Sequence, residues 1–209
     1  MIVFQGESML NEPQSFFSGN ADQEITARVA SLLQTRERVL LAIDGNCCAG
    51  KTTMAARLGS MLGANVFHMD DYFLQPQMRT PERLSQPGGN VDAERFLSQI
   101  LLPASRGEVV KVRRYDCRKD RLLAPIPVLP SRVIIGEGAY CLHPLLAPYY
   151  DLKVFCRIGA AQQAARISAR NGADALPMFQ ERWIPLENKY FEALDILSQC
   201  DIIIDSIQS

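Results

Sequence analysis

No stretch of the chain approaches the roughly 20 consecutive apolar residues that a membrane span requires. The opening "MIVFQGESML" has neither the basic start nor the long apolar middle of a secretory leader. Together these absences set the expectation of a cytoplasmic protein with no membrane partner. Excess charge of either sign is lacking too. The formal net charge is −1, which leaves no broad electrostatic footprint for nucleic acid or an anionic surface. Histidine is scarce, with two residues; His68 and His143 have no partner at metal-ligand spacing and read as structural or rim residues. Cys47, Cys48, Cys117, Cys141, Cys156 and Cys200 contain no C-x-x-C pair and no zinc-type spacing. They read as free thiols of a reducing compartment. Neither an internal repeat nor a low-complexity tract interrupts the 209 residues, a length suited to a single domain over 1–209.

Against that background the periodic segments are clear. Residues 1–19 show little periodicity and read as a loose arm. In "NADQEITARVASLL", Ile25, Val29, Leu32 and Leu33 recur at helical spacing behind Asn20 as N-cap. "RVLLAI" is an unbroken apolar run suited to a strand buried on both faces of a parallel sheet. Met54, Leu58, Met61 and Leu62 then repeat as a helix up to Gly63, and "NVFHM" reads as a strand. Prolines and glycines punctuate residues 75–90 into a surface excursion without regular structure. A helix over 92–102 is closed by Pro103. "EVVKVRRY" and the proline-rich "APIPVLP" make 104–130 a hairpin-like excursion. "RVIIGEG", "DLKVFCRI" and "DIIID" supply further strands. Helical patterns lie between the last two, where Trp183 reads as a core residue and Pro185 as a kink. Alternating strands and helices argue for a parallel three-layer α/β fold.

The most informative stretch is "LAIDGNCCAGKTTMAARL". Gly45, Gly50, Lys51 and Thr52 complete the pattern G-x-x-x-x-G-K-[ST] between an expected strand and an expected helix. Glycines let successive backbone N–H groups of Gly45, Asn46, Cys47, Cys48, Ala49, Gly50, Lys51, Thr52 and Thr53 turn toward phosphate oxygens, and the helix start adds its positive dipole end. Lys51 can reach the β and γ phosphates, while the Thr52 hydroxyl can ligate magnesium. The loop is therefore built to hold a nucleoside triphosphate. Cys47 and Cys48 stand where small polar residues are frequent, adding sensitivity to oxidation.

Carboxylates at strand ends would use what the loop holds. "VFHMDDYF" ends on Asp70 and Asp71, where the crevice of an open parallel sheet lies. A phosphoryl acceptor needs such a group to orient its hydroxyl and take its proton, and either aspartate can serve. Glu137, closing "VIIGEG", has the pattern of a Walker B carboxylate on the metal side. Arg166 and Arg170 lie four apart on one helix face and are candidates for contacting phosphate, with Arg157 at a strand end as a further candidate.

Together "IDGNCCAGKTT", "FHMDDYF", "PGGNVDAERF", "YDC", "VIIGEGAYCLHPLLAPYYDLKVF" and "WIPLENKYF" resemble the uridine kinase-like branch of the P-loop small-molecule kinases, which includes phosphoribulokinase and pantothenate kinase relatives. The resemblance runs from about residue 38 to the end. It implies a P-loop three-layer sandwich with a five-stranded parallel sheet and an acceptor-side hairpin. It also implies ATP or GTP as donor, Mg2+, and transfer of the γ-phosphoryl group to a small-molecule hydroxyl, most readily a nucleoside's. Carried over by position, Asp70 matches the catalytic carboxylate and contacts metal and acceptor, Lys51 and Thr52 the loop pair, and Glu137 the metal-side acid. Tyr72, Asp92 and Tyr115 match acceptor or ribose contacts, and 159–182 a lid carrying Arg166 and Arg170. No nucleic acid partner is implied, and self-association is left open.

One position departs from that pattern. Nucleoside-specific members carry a histidine shortly after the tyrosine, where "YDCRKDRL" offers Asp120 and basic residues. The cluster Arg113, Arg114, Arg118, Lys119 and Arg121 could instead receive an anionic acceptor. Pantothenate, glycerate or a sugar are then alternatives to a nucleoside. A slowly hydrolysing regulatory module is the reading from another class, although no guanine-reading N/T-K-x-D loop is present.

Overall fold

The computed structural model of the chain describes residues 14–206. Six parallel strands form its main sheet: β1 (Gln14–Phe17), β2 (Val39–Gly45), β3 (Asn65–His68), β4 (Val133–Glu137), β5 (Leu152–Arg157) and β6 (Ile202–Asp205), in the order β1-β6-β5-β2-β4-β3. Five of these are the strands read from the sequence. The sixth, β1, corrects the five-stranded count. It comes from the end of the expected loose arm and pairs Gln14 with Ile202 and Phe17 with Asp205. Four residues on a sheet edge are too few to display a period. The rest of that arm, residues 1–13, lies outside the described residues.

Side chains of alternating parity enter opposite layers. Leu40, Ala42, Ile134, Phe155 and Ile203 face one core, and Val39, Leu41, Ile43, Ile135, Val154 and Ile204 face the other. Burial on both faces is why these strands read as continuous apolar runs. Helices α1 (Ser18–Leu32) and α2 (Lys51–Leu62) cover the second core with Ile25, Val29, Met54 and Leu58. Phe96 and Ile100 cover the first, together with Tyr190 and Phe191. The long helices of the C-terminal third are α3 (Ala160–Asn171) and α4 (Ile184–Ala193). After β2 the chain passes beyond β4 to form β3, and later returns to form β5 on the other side of β2. The C-terminal end of β2 is thus a topological switch point, where an open sheet leaves a crevice.

Local differences from the sequence reading have identifiable causes. Helix α1 begins at Ser18, so Asn20 lies in its first turn and is not the cap. Met61 is 56% exposed and outside the core, because it falls on the flank of the α2 stripe. Pro103 does not end its helix: Ala93–Phe96 continues through a π turn, Leu97–Leu101, into Leu102–Ser105. A widened turn removes the need for the hydrogen bond that proline cannot donate. The same device, a π turn over Phe179–Trp183, precedes Pro185 at the start of α4. Within 75–90, Pro81–Ser85 is helical because Thr80 caps it, its hydroxyl accepting from Arg83 N. Residues 104–130 hold two nested antiparallel ribbons, Val110–Val112 with Ile126–Val128 and Tyr115–Asp116 with Arg121–Leu122.

Gly45, where β2 becomes the loop, has φ +134°, and a Cβ there would stand 2.1 Å from the Cys156 carbonyl oxygen. Left-handed strain and a backbone clash act together, so Gly45→Ala is expected to cost about 3 kcal/mol or more in urea unfolding. Gly63→Ala, with φ +59° and open space around its Cβ, should lose only about 1–2 kcal/mol. Equal losses at the two positions would contradict the crowding at Gly45.

Candidate active site

The loop between β2 and α2 is braced from several directions. Asn46 N donates to Cys156 O at 3.1 Å and Cys47 N to Glu187 Oε2 at 2.9 Å. Gln163 Nε2 donates to Cys47 O at 3.1 Å, and Arg166 Nη1 to Cys48 O at 3.2 Å. Gly50 caps α2 in the left-handed region, φ +94°, and Ala49 packs into the core behind the loop. Lys51 folds back along the loop, with Nζ donating to Gly45 O at 2.7 Å and Asn46 O at 2.8 Å. Behind it Asp44 is fully buried and accepts from Gly45 N, Tyr140 N, Leu142 N and Tyr190 Oη at 2.7–3.2 Å. Burial raises the Asp44 pKa, with those donors opposing. Asp44 thus ties the loop to the segment after β4 and to α4. Burial, reinforced by the Glu187 charge, pushes the Cys47 thiol up to about 12. A thiol held protonated in this way is a weaker nucleophile than a free one.

In front of the loop lies a cavity of about 560 Å³. Cys47, Cys48, Gly50, Lys51, Thr52 and Thr53 line one wall, and Asp70, Glu137, Arg166 and Arg170 line it as well. Residues from four separate segments, singled out on the sequence, are therefore brought together. Thr52 Oγ1 donates toward the Glu137 carboxylate at 3.2 Å from both oxygens, and His68 Nδ1 lies 2.5 Å from Oε1. This contact, which the sequence did not signal for His68, holds its imidazole above the ordinary range. A hydroxyl and a carboxylate converging beside a phosphate loop form a hard-oxygen set suited to magnesium, which takes few protein ligands and completes its shell with phosphate and water. Among the described residues no cluster of three or more His, Cys, Asp or Glu forms a self-sufficient cage.

The adjacent aspartates diverge. Asp70 lines this cavity, while Asp71 lines a second one of about 450 Å³ with Tyr72 and Arg114. Asp70 is open to the cavity yet enclosed by protein, and desolvation raises its pKa, with Lys51 opposing.

Three expected acceptor residues are not in the first cavity. Tyr72 is 1% exposed and packs edge-on against Phe96, with the Arg95 guanidinium 4.2 Å from its ring centroid. Asp92 caps Ala93–Phe96, accepting from Arg95 N at 3.0 Å, and forms a buried ion pair with Arg95 Nε at 2.9 Å. Tyr115 Oη is engaged by Arg79 Nη2 at 2.7 Å and donates to Asp120. None of the basic hairpin residues lines the cavity either; Arg113 donates to Leu123 O, and Arg118 N and Lys119 N bond the Asp116 carboxylate. Arg157 pairs with Asp205 at 2.6 Å. Asp92→Ala would strand the Arg95 charge in the interior, so a loss of about 3–5 kcal/mol is expected by chemical denaturation. A loss below 1 kcal/mol would show that Asp92 is free for another task.

Five further lining side chains were not singled out on the sequence: Phe73, Asn90, Tyr140, Phe179 and Glu187. Trp183, expected in the core, is half-buried in the cavity wall 6.3 Å from the Phe73 ring. Asn90 Nδ2 and Tyr140 Oη are buried facing each other, and neither makes a hydrogen bond of good geometry. Tyr140 holds a left-handed backbone, φ +75°, a strained state that its surroundings must enforce. Burial raises the Glu187 pKa, with Lys51 opposing. Phe73, Asn90, Tyr140 and Glu187 fall within the stretches "FHMDDYF", "PGGNVDAERF", "VIIGEGAYCLHPLLAPYYDLKVF" and "WIPLENKYF", whose shared pattern was the sequence sign available for them.

No protein-family model matches the chain. Among solved structures it resembles a possible uridine kinase from Bacillus stearothermophilus, with TM-score 0.63 and 23% identity over 87% of this chain and 100% of that one. It also resembles a candidate fructose transport system kinase from Silicibacter sp. TM1040, with TM-score 0.57 and 22% identity over 86% and 98% of the two chains. YFH7 from Saccharomyces cerevisiae, a candidate P-loop kinase with a circular permutation, matches with TM-score 0.55 and 14% identity over 90% and 99%. At these identities the likeness is one of fold, and the chain folds as the uridine kinase-like P-loop proteins do.

Proposed function

We propose that the protein is a magnesium-dependent kinase that transfers the γ-phosphoryl group of ATP to a hydroxyl of a small molecule. The observation carrying this reading is the composition of one cavity. A phosphate loop, a metal-side pair, a free carboxylate and two arginines share it with a second wall of aromatic rings and polar groups that lack well-formed hydrogen bonds. A hydrolase needs room only for water, whereas that wall offers a compartment for an organic acceptor.

In this reading the loop amides and Lys51 hold the β and γ phosphates. Thr52 and Glu137 hold magnesium, which when bound would neutralise charge on the phosphate oxygens. Asp70 takes the acceptor hydroxyl proton as that oxygen bonds to the γ-phosphorus and the bond to the β–γ bridging oxygen breaks, releasing ADP. Arg166 and Arg170 stabilise charge on the transferred group, and 159–182 acts as the lid that brings them in. ATP is the donor named here, and GTP would occupy the same loop. A nucleoside acceptor is supported by the order of the motifs, while Asp92 and Tyr115, engaged by Arg95 and Arg79, lend it no free ribose contact, so a hydroxylated metabolite of another class is the reading the cavity lining favours. A single cytoplasmic domain fits this role.

ADP release with ATP and magnesium across nucleosides, sugars, glycerate, pantothenate and amino alcohols tests the reading. At least one acceptor should raise the rate tenfold or more over ATP alone. A rate independent of every acceptor would favour the regulatory module.

A further inference from the structure

The rest of the cavity lining has a chemistry of its own. Phe73, Phe179 and Trp183 supply aromatic surface, Asn90 and Tyr140 supply polar groups that make no hydrogen bond of good geometry, and Glu187 supplies the only formal charge of the six. Each cationic residue lining the cavity, Lys51, Arg166 and Arg170, comes from the phosphate loop or from α3. Arg182 lies over the Trp183 ring at 4.8 Å but does not line the cavity. The hydroxyl of Tyr140, a residue 5% exposed, borders the cavity facing the Asn90 side chain, with no hydrogen bond of good geometry between them. That pairing of burial and unmet hydrogen bonding points to a ligand.

Glu187 is 6% exposed and tied to the loop through the Cys47 amide at 2.9 Å. Lys51 offsets part of the cost of a buried carboxylate here, and a cationic group on the second substrate would offset more of it. An aromatic wall beside a carboxylate is also the environment that favours a cation over a neutral or anionic group. Resting on the kinase reading, we infer that the acceptor is a hydroxylated amine and that Glu187 receives its ammonium group, making Glu187 the specificity-determining residue of the acceptor half. Asn90 and Tyr140 then bond the acceptor's remaining polar atoms, and its apolar face lies against the aromatic rings.

Trp183 is the only tryptophan in the chain, so its fluorescence reports on this wall directly. The full chain is titrated with matched amine, neutral and acid trios: serinol, glycerol and glycerate; glucosamine, glucose and glucuronate; and 4-(aminomethyl)benzyl alcohol, benzene-1,4-dimethanol and 4-(hydroxymethyl)benzoate. In at least one trio the amine should bind tenfold or more tighter than both analogues. Glu187→Gln, which keeps an oxygen for Cys47 N, should erase that preference to within twofold. Tyr140→Phe should weaken the amine and its neutral analogue alike, preserving the preference. This second variant keeps the test decisive should Glu187→Gln fold poorly.

A neutral or acidic member binding tightest, an amine preference surviving Glu187→Gln, one lost in Tyr140→Phe, or no Trp183 response to any amine would overturn the inference. ADP release measured in parallel separates the two claims. Transfer only to neutral or acidic acceptors sinks the amine assignment and leaves the kinase standing. ADP release that no acceptor stimulates sinks the kinase, while the fluorescence ranking still decides what Glu187 binds.

Discussion

Replacing Lys51 with alanine is expected to lower phosphoryl transfer by about 10²- to 10³-fold or more, the effect of removing a preorganised charge worth about 3–4 kcal/mol in a transition state. Lys51 is 8% exposed, and its ammonium group is held by two carbonyls of the loop proposed to cradle the phosphates. It is therefore positioned before nucleotide arrives, and little reorganisation accompanies its action. The fold should survive, because the loop keeps its bonds to Cys156, Glu187 and Gln163. Single-turnover kinetics with a melting curve on the same sample provides the check. Turnover within threefold of the unmodified protein would mean that Gly45 to Thr52 is not a working phosphate loop.

Asp70→Asn should be nearly as damaging, with transfer reduced about 10²- to 10⁴-fold, the range associated with a lost general base. ATP binding should persist, since none of the loop braces involves Asp70. Asp71→Asn should cost less than tenfold, because Asp71 faces the second cavity with Arg114. The reverse ranking would move the base to Asp71.

The pH dependence of Asp70→Asn carries a sign. Desolvation raises the Asp70 pKa above its ordinary 3.8, so the acid limb of the rate profile should fall at a pH above that value and vanish in Asp70→Asn. For stability the direction is opposite to that of a salt-bridged carboxylate. A folded pKa above the unfolded one favours the native state when the group is protonated, and that advantage is lost as pH rises through the folded value. Asp70→Asn should thus be neutral or stabilising near pH 7, as expected where function has placed a group against the interest of the fold.

The parts of this site that were legible in the sequence are those whose constraint is local. The glycine loop is legible because Gly45, Gly50, Lys51 and Thr52 answer to one backbone geometry. Glu137 and Asp70 are legible because a carboxylate ending an apolar run must lie at the crevice side of a parallel sheet. Distant pairing was not visible. Asp92 and Tyr115 look available until Arg95 and Arg79 are seen to engage them. Asn90, Tyr140 and Glu187 come from three segments with no common period, and they meet at the switch point where the strand order changes sides of β2. Strand β1 is invisible for a related reason, since its place depends on β6, nearly the whole chain away. Asp44, buried at the end of an apolar strand, could have been noticed as a charge that must have partners.

Tracing the γ-phosphoryl group itself tests the central claim most directly. The protein is incubated with γ-labelled ATP, magnesium and a small-metabolite extract of less than about 1 kDa, and labelled products are separated from inorganic phosphate. The expected result is label in a new organic phosphate ester, which Lys51→Ala and Asp70→Asn fail to produce. Label recovered solely as inorganic phosphate, at a rate the extract does not change, would contradict it.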